Sequence, residues 1–302
     1  MTYVGVTPAG KTIILPAPVS AKLNQTEDAP ADGFTGVFPL KKSNGNLTGL
    51  RIYDANHDLC FDGIVDDQKE SCGSEIKLML VARSRSALLL DNEAIPQTYC
   101  MPSLATIFAR HVKPYGFTDF VGDARTCSGQ LAVTKGMSEW SVAEAFCHDY
   151  LKVKPRVVNG VFDASGEKPK GKLVFDQNRG IQYSSIVVQN KYCSLLSELL
   201  VQSSGNGTYS TVIQNSEANA LGVKRRRCLA AGTDADALMD AAHRKAFSVT
   251  VNCPGEVPAK MFMSASIQDK VLGAMDNLYV SEIDDTLDSS GKITRFLLRR
   301  WE

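Results

Sequence analysis

The chain has 302 residues, more than one ordinary domain needs and enough for two or three. Hydrophobic residues make up 44% and charged residues 22%, which excludes a largely disordered chain and a coiled-coil rod. The 33 basic and 33 acidic residues leave no net charge, which disfavours a general nucleic-acid binder because such proteins need surplus cations. A near-neutral chain also favours lasting association with partners.

The lack of a visible secretory signal and the distribution of the cysteines predict a reducing compartment. No apolar run approaches the length of a membrane span, and the first residues lack the pattern of a secretory signal. The eight cysteines are spread evenly, and no two of them form a Cys-x-x-Cys pair. We therefore expect free thiols in the cytoplasm, most of them serving as small core residues.

The first third of the chain predicts β-structure after an irregular start. The first 45 residues are rich in Pro, Gly, Ala and Lys and hold one short strand candidate, Thr12–Leu15, so we expect a flexible N-terminal segment. The pattern then predicts two strands around a turn, at 50–53 and 59–66. Apolar and polar residues alternate over 76–83, which is typical of a half-buried strand.

A small α/β region follows. Ser103 is placed to cap a helix that ends at Pro114, and a second helix begins near Ser138 with apolar residues three and four apart. Segments 157–162 and 172–175 flank a Gly/Lys/Pro turn at 165–171 and predict a hairpin.

The last third returns to strands, with one helix. Thr233 and Asp236 resemble a capping box for a helix whose apolar face includes Leu238, Met239 and Ala242. The predicted strands lie at 186–188, 209–213, 247–251, 270–272 and 278–283, and a terminal hairpin closes the chain at 293–301.

A calcium loop is the most tempting local pattern. Oxygen-bearing residues alternate over Asp54–Asp58, and Asp62 follows. However, Leu59 stands where the loop needs glycine, and Val65 stands where it needs a bidentate glutamate. These two departures favour a polar β-turn.

Cysteine and histidine chemistry has little support. His57, Cys60 and Cys72 could supply three zinc ligands, but no fourth ligand follows at metal spacing. Cys147 and His148 are neighbours on a helix and point about 100° apart, so they cannot form a nucleophile–base pair. We predict no catalytic residue, no cofactor site and no metal site.

The remaining candidates favour structural roles. The carboxylates of Asp66–Asp67 and Asp284–Asp285 could form a glycosidase pair, but adjacent strand residues face opposite sides, so turn and surface positions are expected. The basic run Lys224–Arg227 could bind phosphate or an acidic partner, or form a solvated strand edge. Trp140 and Trp301 are expected to be packing anchors first and interface anchors second.

An ordered series of segments resembles the baseplate hub proteins of contractile phage tails and phage-tail-like particles. Each segment is a packing motif, and only their order over about 50–302 is informative. The first 45 residues match nothing in that family. The segments are 61–66, 81–94, 102–117, 136–142, 171–175, 253–255 and 278–301.

The resemblance implies a mainly β (α+β) fold with two β-barrel-like tube domains and a small α/β insert. The first tube domain would span 1–96, completed by strands after 180, the insert 97–178, and the second tube domain 179–302. Three subunits would then present six similar domains, with the insert on the outside of the ring. Only Glu302 follows the hub-like region, so no appended hydrolase domain is expected.

The function implied is a trimeric, non-enzymatic ring that adapts a hexameric tail tube to a trimeric central spike. Expected partners are two further copies of the chain, the tail tube protein, the central spike protein and the baseplate wedge proteins, with the tape measure protein as another candidate. Neither a membrane in the resting state nor specific nucleic acid is expected. The protein would be assembled in the host cytoplasm and reside in the baseplate of the virion or particle.

Two alternatives remain open. A tail-tip cell-wall hydrolase would use the scattered His, Cys and Asp residues. A distal tail protein or tube-terminating ring would have similar β-structure but sixfold symmetry.

Overall fold

The computed structural model describes residues 1–158, 160–166, 171–203 and 207–301. The chain divides into two compact units, one of Met1–Lys168 with Asp284–Ile293 and one of Pro169–Ile283 with Thr294–Glu302. Strands hold 48% of the structure and helices 17%, which confirms the mainly β fold class. Among the described residues, no helix is both long and apolar enough to cross a membrane.

The first unit begins with an antiparallel sheet in the order β3-β4-β7-β6-β5-β1-β2. Its strands are β1 (Thr2–Val6), β2 (Thr12–Ile14), β3 (Ser20–Thr26), β4 (Gly33–Leu40), β5 (Gly49–Tyr53), β6 (Leu59–Cys72) and β7 (Ile76–Ser84).

One face of this sheet forms a hydrophobic core. Phe34 pairs with Ala82 and Phe38 with Leu78, and all four side chains are buried. Their neighbours along β4 and β7 point to the opposite face, because side chains alternate along a strand. This burial confirms the alternation predicted over 76–83. Each fully buried Phe or Leu contributes about 1.5–3 kcal/mol. A shift of one residue would expose these side chains, so their burial fixes the register.

The expectation of a single strand in the first 45 residues is wrong. Strands β1 to β4 all lie there, and Tyr3, Leu23 and Phe34 belong to the core. The strand β1 pairs with β5, about fifty residues later in the chain, so its partner cannot be inferred from local periodicity.

An α/β region with a separate core follows in the same unit. Its regular elements are α1 (Ala87–Asp91), β8 (Gln97–Cys100), α2 (Leu104–Ile107), β9 (Asp119–Gly122), β10 (Gln130–Val133), α3 (Glu139–Phe146), β11 (Arg156–Val158) and β12 (Val161–Ala164). A π-helical turn extends α2 over Phe108–Val112 and another extends α3 over Cys147–Leu151.

Both predicted helix starts in this region are confirmed. The hydroxyl of Ser103 accepts a hydrogen bond from the Thr106 amide at 3.2 Å, and that of Ser138 accepts one from the Ser141 amide at 3.1 Å. These caps satisfy amides that the first helical turn leaves without partners. Beyond α2, the chain passes through a 3-10 turn that contains Pro114 and stops at Gly116, whose φ is 91°.

The predicted hairpin between 157–162 and 172–175 is wrong. Instead, β11 and β12 form a hairpin with each other, turning at Gly160, whose φ of 78° suits glycine. The segment 172–175 lies in β13, which pairs in parallel with β19. Residues 167–170 of the predicted turn lie outside the described residues.

The second unit contains β13 (Lys172–Asp176), β14 (Ser185–Asn190), β15 (Glu198–Gln202), β16 (Tyr209–Gln214), α4 (Ser216–Ala220), β17 (Arg226–Leu229), α5 (Ala235–Ala246), β18 (Phe247–Pro254), β19 (Ser264–Asp269), β20 (Gly273–Asp288) and β21 (Gly291–Arg300). Strands β14, β18, β21 and β20 lie side by side, with β19 and then β13 on β20. The turn of the β20–β21 hairpin belongs to the first unit.

A smaller sheet in this unit has the order β16-β15-β17. The predicted apolar face of α5 is confirmed, since Leu238, Met239 and Ala242 pack with Leu199 of this sheet. The cap is one residue later than predicted: the Asp234 carboxylate, not Thr233, accepts a hydrogen bond from the Ala237 amide at 3.0 Å.

Segment 270–272 is a turn and not the predicted strand. The carboxylate of Asp269 accepts hydrogen bonds from the amides of Val271 and Leu272, both at 2.8 Å. The hydroxyl of Tyr183 donates to the same carboxylate at 2.6 Å. These three bonds lower the pKa of Asp269, and burial together with this contact raises the pKa of Tyr183 to about 12.

Asp32, in the loop between β3 and β4, carries an energetic penalty. Its main chain exchanges hydrogen bonds with Ser84, and its carboxyl accepts one from the Gln25 amide at 3.3 Å. Burial raises the pKa of this carboxyl to about 6, and the Gln25 bond offsets only part of that effect. The folded chain therefore binds this proton more tightly than the unfolded chain, and stability falls as the pH rises from about 4 to about 6.

We therefore expect Asp32→Asn to stabilise the first unit at pH 7.5 by about 1–3 kcal/mol and to change little at pH 4. The amide keeps an acceptor for Gln25 but carries no charge to bury. Calorimetric melting at the two pH values measures the effect, with Asp28→Asn in the same loop as the exposed control. Equal stabilisation at both pH values would contradict this explanation.

Candidate interaction surfaces

The predicted cysteine and histidine candidates do not come together. Cys147 is buried in the core of the α/β region, and burial raises the pKa of its thiol to about 12. His148 is exposed and contacts Asp149 at 2.9 Å. A thiol with this pKa is almost entirely protonated at neutral pH, so Cys147 is a core residue and a poor nucleophile.

The metal-ligand candidates are also separated. The carboxylate of Asp54 accepts hydrogen bonds from the amides of Asn56 and Asp58, both at 2.8 Å, so the predicted polar turn is confirmed. Cys60 and Cys72 lie near opposite ends of β6, about 40 Å apart at the usual rise per strand residue. No group of three metal-ligating side chains occurs within the part of the chain that the structure describes.

One aspartate of each acidic pair makes a side-chain contact within the first unit. Asp66 binds Arg83, which also binds Asp91 on α1, so one guanidinium joins the sheet to the start of the α/β region. The Arg83 contacts lower the pKa of Asp91. The surface prediction is wrong for Asp284, which is buried and accepts a hydrogen bond from the Asn24 amide at 2.6 Å.

A buried polar network that sequence patterns did not indicate lies in the α/β region. His111 Nδ1 lies 2.5 Å from a Glu139 carboxylate oxygen, and His111 Nε2 lies 2.8 Å from the Tyr99 hydroxyl. Tyr115 donates to the second Glu139 oxygen at 2.9 Å. Tyr99, His111 and Glu139 lie 12–40 positions apart along the chain, so only the tertiary fold brings these three together.

The order hydroxyl, imidazole, carboxylate resembles a catalytic relay, but its surroundings do not suit one. Tyr99, His111 and Glu139 are all buried, and burial is the largest cause of the raised pKa of Tyr99. Two surface cavities of the first unit are lined by other residues. The buried groups bond to one another, so this network fits a structural tie between β8, α3 and the segment after α2.

The tryptophans pack as predicted. Trp140 makes an edge contact with Phe162 at a centroid distance of 6.0 Å in the core of the α/β region. In the second unit, the ring centroids of Trp301 and Tyr279 lie 4.3 Å apart. The basic run Lys224–Arg227 leads into β17, which pairs only with β15 among the described strands.

The open edge of β14 is the clearest surface for another strand. Among the described residues, β14 has a partner, β18, on one side only. The main-chain amide of Lys191, just after β14, donates to the Ala246 carbonyl next to β18 at 2.6 Å. Peptide groups alternate in direction along a strand, so every second residue before Lys191 also faces β18. The peptide groups of Ile186, Val188 and Asn190 therefore point away from β18.

This edge lacks the usual protection against pairing. Its sequence, Ser-Ile-Val-Val-Gln-Asn, has no charge and no proline, and Val187 is 55% exposed. By contrast, the β2 edge is only three residues long and Pro16 follows soon after it. Much of the β13 edge is covered, because Ile181 bonds to Val174 and Asp176.

Comparisons with known proteins agree on the fold. No protein-family profile matches the sequence, and no curated protein matches it by sequence. A tail protein from Neisseria meningitidis is 14% identical with a TM-score of 0.76, covering 99% of this chain and 97% of that one. The 43 kDa tail protein of prophage MuSo2 from Shewanella oneidensis is 14% identical with a TM-score of 0.79, covering 99% and 98%.

A type VI secretion system component from E. coli, itself structurally similar to the T4 bacteriophage tail proteins gp27 and gp5, has a TM-score of 0.61. It is 9% identical, and the match covers 95% of this chain and 75% of that one. The chain therefore has the fold of phage tail proteins, and the resemblance to tail baseplate proteins drawn from the sequence is confirmed at the level of fold.

We expect Glu139→Gln to destabilise the first unit by about 1–3 kcal/mol, because the amide brings a donor against His111 or Tyr115 and leaves a buried donor unpaired. Urea unfolding in a Trp301→Phe background, where Trp140 is the remaining tryptophan, measures the loss by fluorescence. Glu144→Gln on the same helix is the control and is expected to change little. Equal effects of the two substitutions would argue against the network as a tie.

We expect thiol reagents at pH 8 to modify Cys72, Cys100, Cys193 and Cys228 in the folded protein, because these side chains are exposed. The buried Cys127, Cys147 and Cys253 should react only after unfolding, since burial raises the thiol pKa of the last two. Mass spectrometry after a short labelling pulse distinguishes the two groups. Rapid labelling of Cys147 in the folded state would revive the nucleophile hypothesis.

Proposed function

We propose that this protein is a structural component of a contractile tail, and specifically the trimeric hub of its baseplate. The single observation that carries the proposal is an open, uncharged β14 edge in a chain whose fold matches whole phage tail proteins. In this role the protein has no enzymatic activity, and its chemistry is the pairing of strands between subunits.

The open edge supplies the physical basis for assembly. Three outward-facing peptide groups can add a strand from a neighbouring subunit, and each hydrogen bond contributes about 0.5–1.5 kcal/mol. The exposed Val187 adds apolar area to the same contact. Such a head-to-tail contact uses two different surfaces, so it closes into a ring only if the rotation between copies fits.

The domain organisation remains part of the proposal. The tube domains would be 1–96, completed by strands after 180, and 179–302, with the insert 97–178 on the outside of the ring. Separate hydrophobic cores in the β-sheet of the first unit, the α/β region and the second unit support modules of this kind. Three copies of two similar modules would match a hexameric tube above and a trimeric spike below.

The partners follow from that position. The tube protein and the central spike protein would contact the two faces of the ring, the wedge proteins its outside, and the tape measure protein its bore. The location would be the baseplate of a virion or phage-tail-like particle, after assembly in the host cytoplasm. The fold shared with a type VI secretion system component supports a role in this broader class of machines.

We expect Asn190→Pro to abolish trimer formation and to lower the melting temperature only by the stabilisation that the trimer contacts supply. The proline removes an N–H that points to the open edge, and proline is tolerated there because no bond within the sheet is lost. Gln189→Pro is the matched control: its N–H points towards Ser248 on β18, so this variant should melt at a lower temperature.

Light scattering coupled to size exclusion and calorimetry provide the two measurements. A wild-type monomer that stays monomeric in the presence of tube and spike proteins would overturn the hub proposal. A sixfold wild-type ring would favour a distal tail protein. A trimeric Asn190→Pro variant would show that another surface holds the subunits together.

A further inference from the structure

The basic run Lys224–Arg227 lies on an open strand edge, and the proposed hub gives it no role. The side chains from Lys224 to Cys228 are exposed. Four consecutive cations in a chain without net charge form a local positive surface. Lys224 and Arg227 have no ion-pair partner within the described part of the chain, so their charges are available to a partner.

The neighbouring contacts hold this surface in place. The guanidinium of Arg225 donates to the Tyr192 carbonyl at 3.1 Å, and its main-chain amide donates to the Ser197 hydroxyl at 2.8 Å. The side chain of Arg226 is paired with Glu198 on β15. A surface fixed before binding loses less conformational entropy when a partner arrives.

The main chain of β17 is open on the same side. Glu198 of β15 donates to the Arg225 carbonyl at 3.2 Å, and Glu198 lies opposite Arg226 in the parallel ladder. In a parallel ladder, a residue of one strand bonds to the two residues that flank its directly opposite partner on the other strand. The main chain of Glu198 therefore bonds to those of Arg225 and Arg227, and not to that of Arg226. The peptide groups of Arg226 and Cys228 therefore point away from β15, to an edge that no described strand covers.

Protection of the edge explains the charges less well. Cationic side chains often prevent unwanted pairing of edge strands. The other edge of the same sheet, β16, has the sequence Tyr-Ser-Thr-Val-Ile-Gln, which carries no charge although Tyr209 and Val212 are 44% and 51% exposed. If the cations served to prevent unwanted pairing, they would be expected on β16, because that edge is the more apolar of the two. The cations on β17 are therefore better explained by binding to a partner of opposite charge.

We propose that β17 is a docking site for an acidic, extended segment of another protein, which adds as a strand beside Arg226 and Cys228. Its carboxylates would lie against Lys224, Arg225 and Arg227, and its main chain would bond to the outward peptide groups. Charge complementarity selects an acidic partner, and the open ladder selects an extended one. The uncharged β14 edge remains for copies of this chain.

The test uses the full chain and a fluorescein-labelled peptide of alternating glutamate and threonine. Fluorescence anisotropy should show saturable binding that weakens as salt is raised, because the contact is partly ionic. A peptide of alternating lysine and threonine should not bind. A single-stranded DNA oligonucleotide of equal charge distinguishes a phosphate-binding surface from a peptide-binding one.

Two pairs of variants locate the site. The double variant Lys224→Glu with Arg227→Glu should weaken binding by more than about tenfold, whereas Lys69→Glu with Lys270→Glu, at exposed positions elsewhere, should have little effect. Cys228→Pro removes an outward N–H and should weaken binding several-fold, whereas Cys228→Ser keeps that N–H and should bind normally. Circular dichroism confirms that each variant is folded.

Three outcomes would overturn the proposal. These are absence of acidic-peptide binding at low salt, tighter binding of DNA than of the peptide, and equal binding by the Lys224→Glu, Arg227→Glu double variant and the wild type. Normal binding by a folded Cys228→Pro variant would overturn the strand-addition geometry. None of these results depends on whether the wild type is a trimer, so the hub proposal is tested separately.

Discussion

The hydrogen-bonding requirement of strand edges is the constraint on which this structure depends. A chain that is nearly half strand must satisfy the peptide groups at every edge or leave them to a partner. Here the edges are treated differently: β2 is short and soon followed by Pro16, β13 is partly covered by Ile181, and β17 is cationic. By contrast, β14 and β16 are both uncharged, so their outward peptide groups lack this protection.

In the first unit, exposed ion pairs join the α/β region to the sheet, and the region has a hydrophobic core of its own. Arg83 on β7 binds Asp66 on β6 and Asp91 on α1, at the point where the chain leaves the sheet. Beyond that point a separate core forms around Leu104, Phe146 and other buried side chains. A guanidinium with two carboxylates fixes the direction in which the chain leaves, because its bidentate bonds are planar.

The network of Tyr99, His111, Glu139 and Tyr115 illustrates how similar geometry serves different purposes. Hydrogen-bonding order alone would suit proton transfer, but the Tyr99 hydroxyl is buried and already contacts His111. Buried polar groups that satisfy one another specify a single arrangement of the helices around them. The raised pKa of the buried Cys147 thiol is likewise explained by its place in the core of the α/β region.

The sequence by itself determined the local features that short-range chemistry controls. The alternation in β7 and the serine caps of α2 and α3 were predictable because each depends on residues within a few positions. The order of packing motifs was enough to indicate a tail protein fold. Tertiary structure decided what long-range pairing controls: the strands of the first 45 residues, the parallel partner of β13, the burial of Asp284 and the His111–Glu139 contact. Their partners lie far away in sequence, so the free energy that fixes them comes from contacts that no local pattern contains.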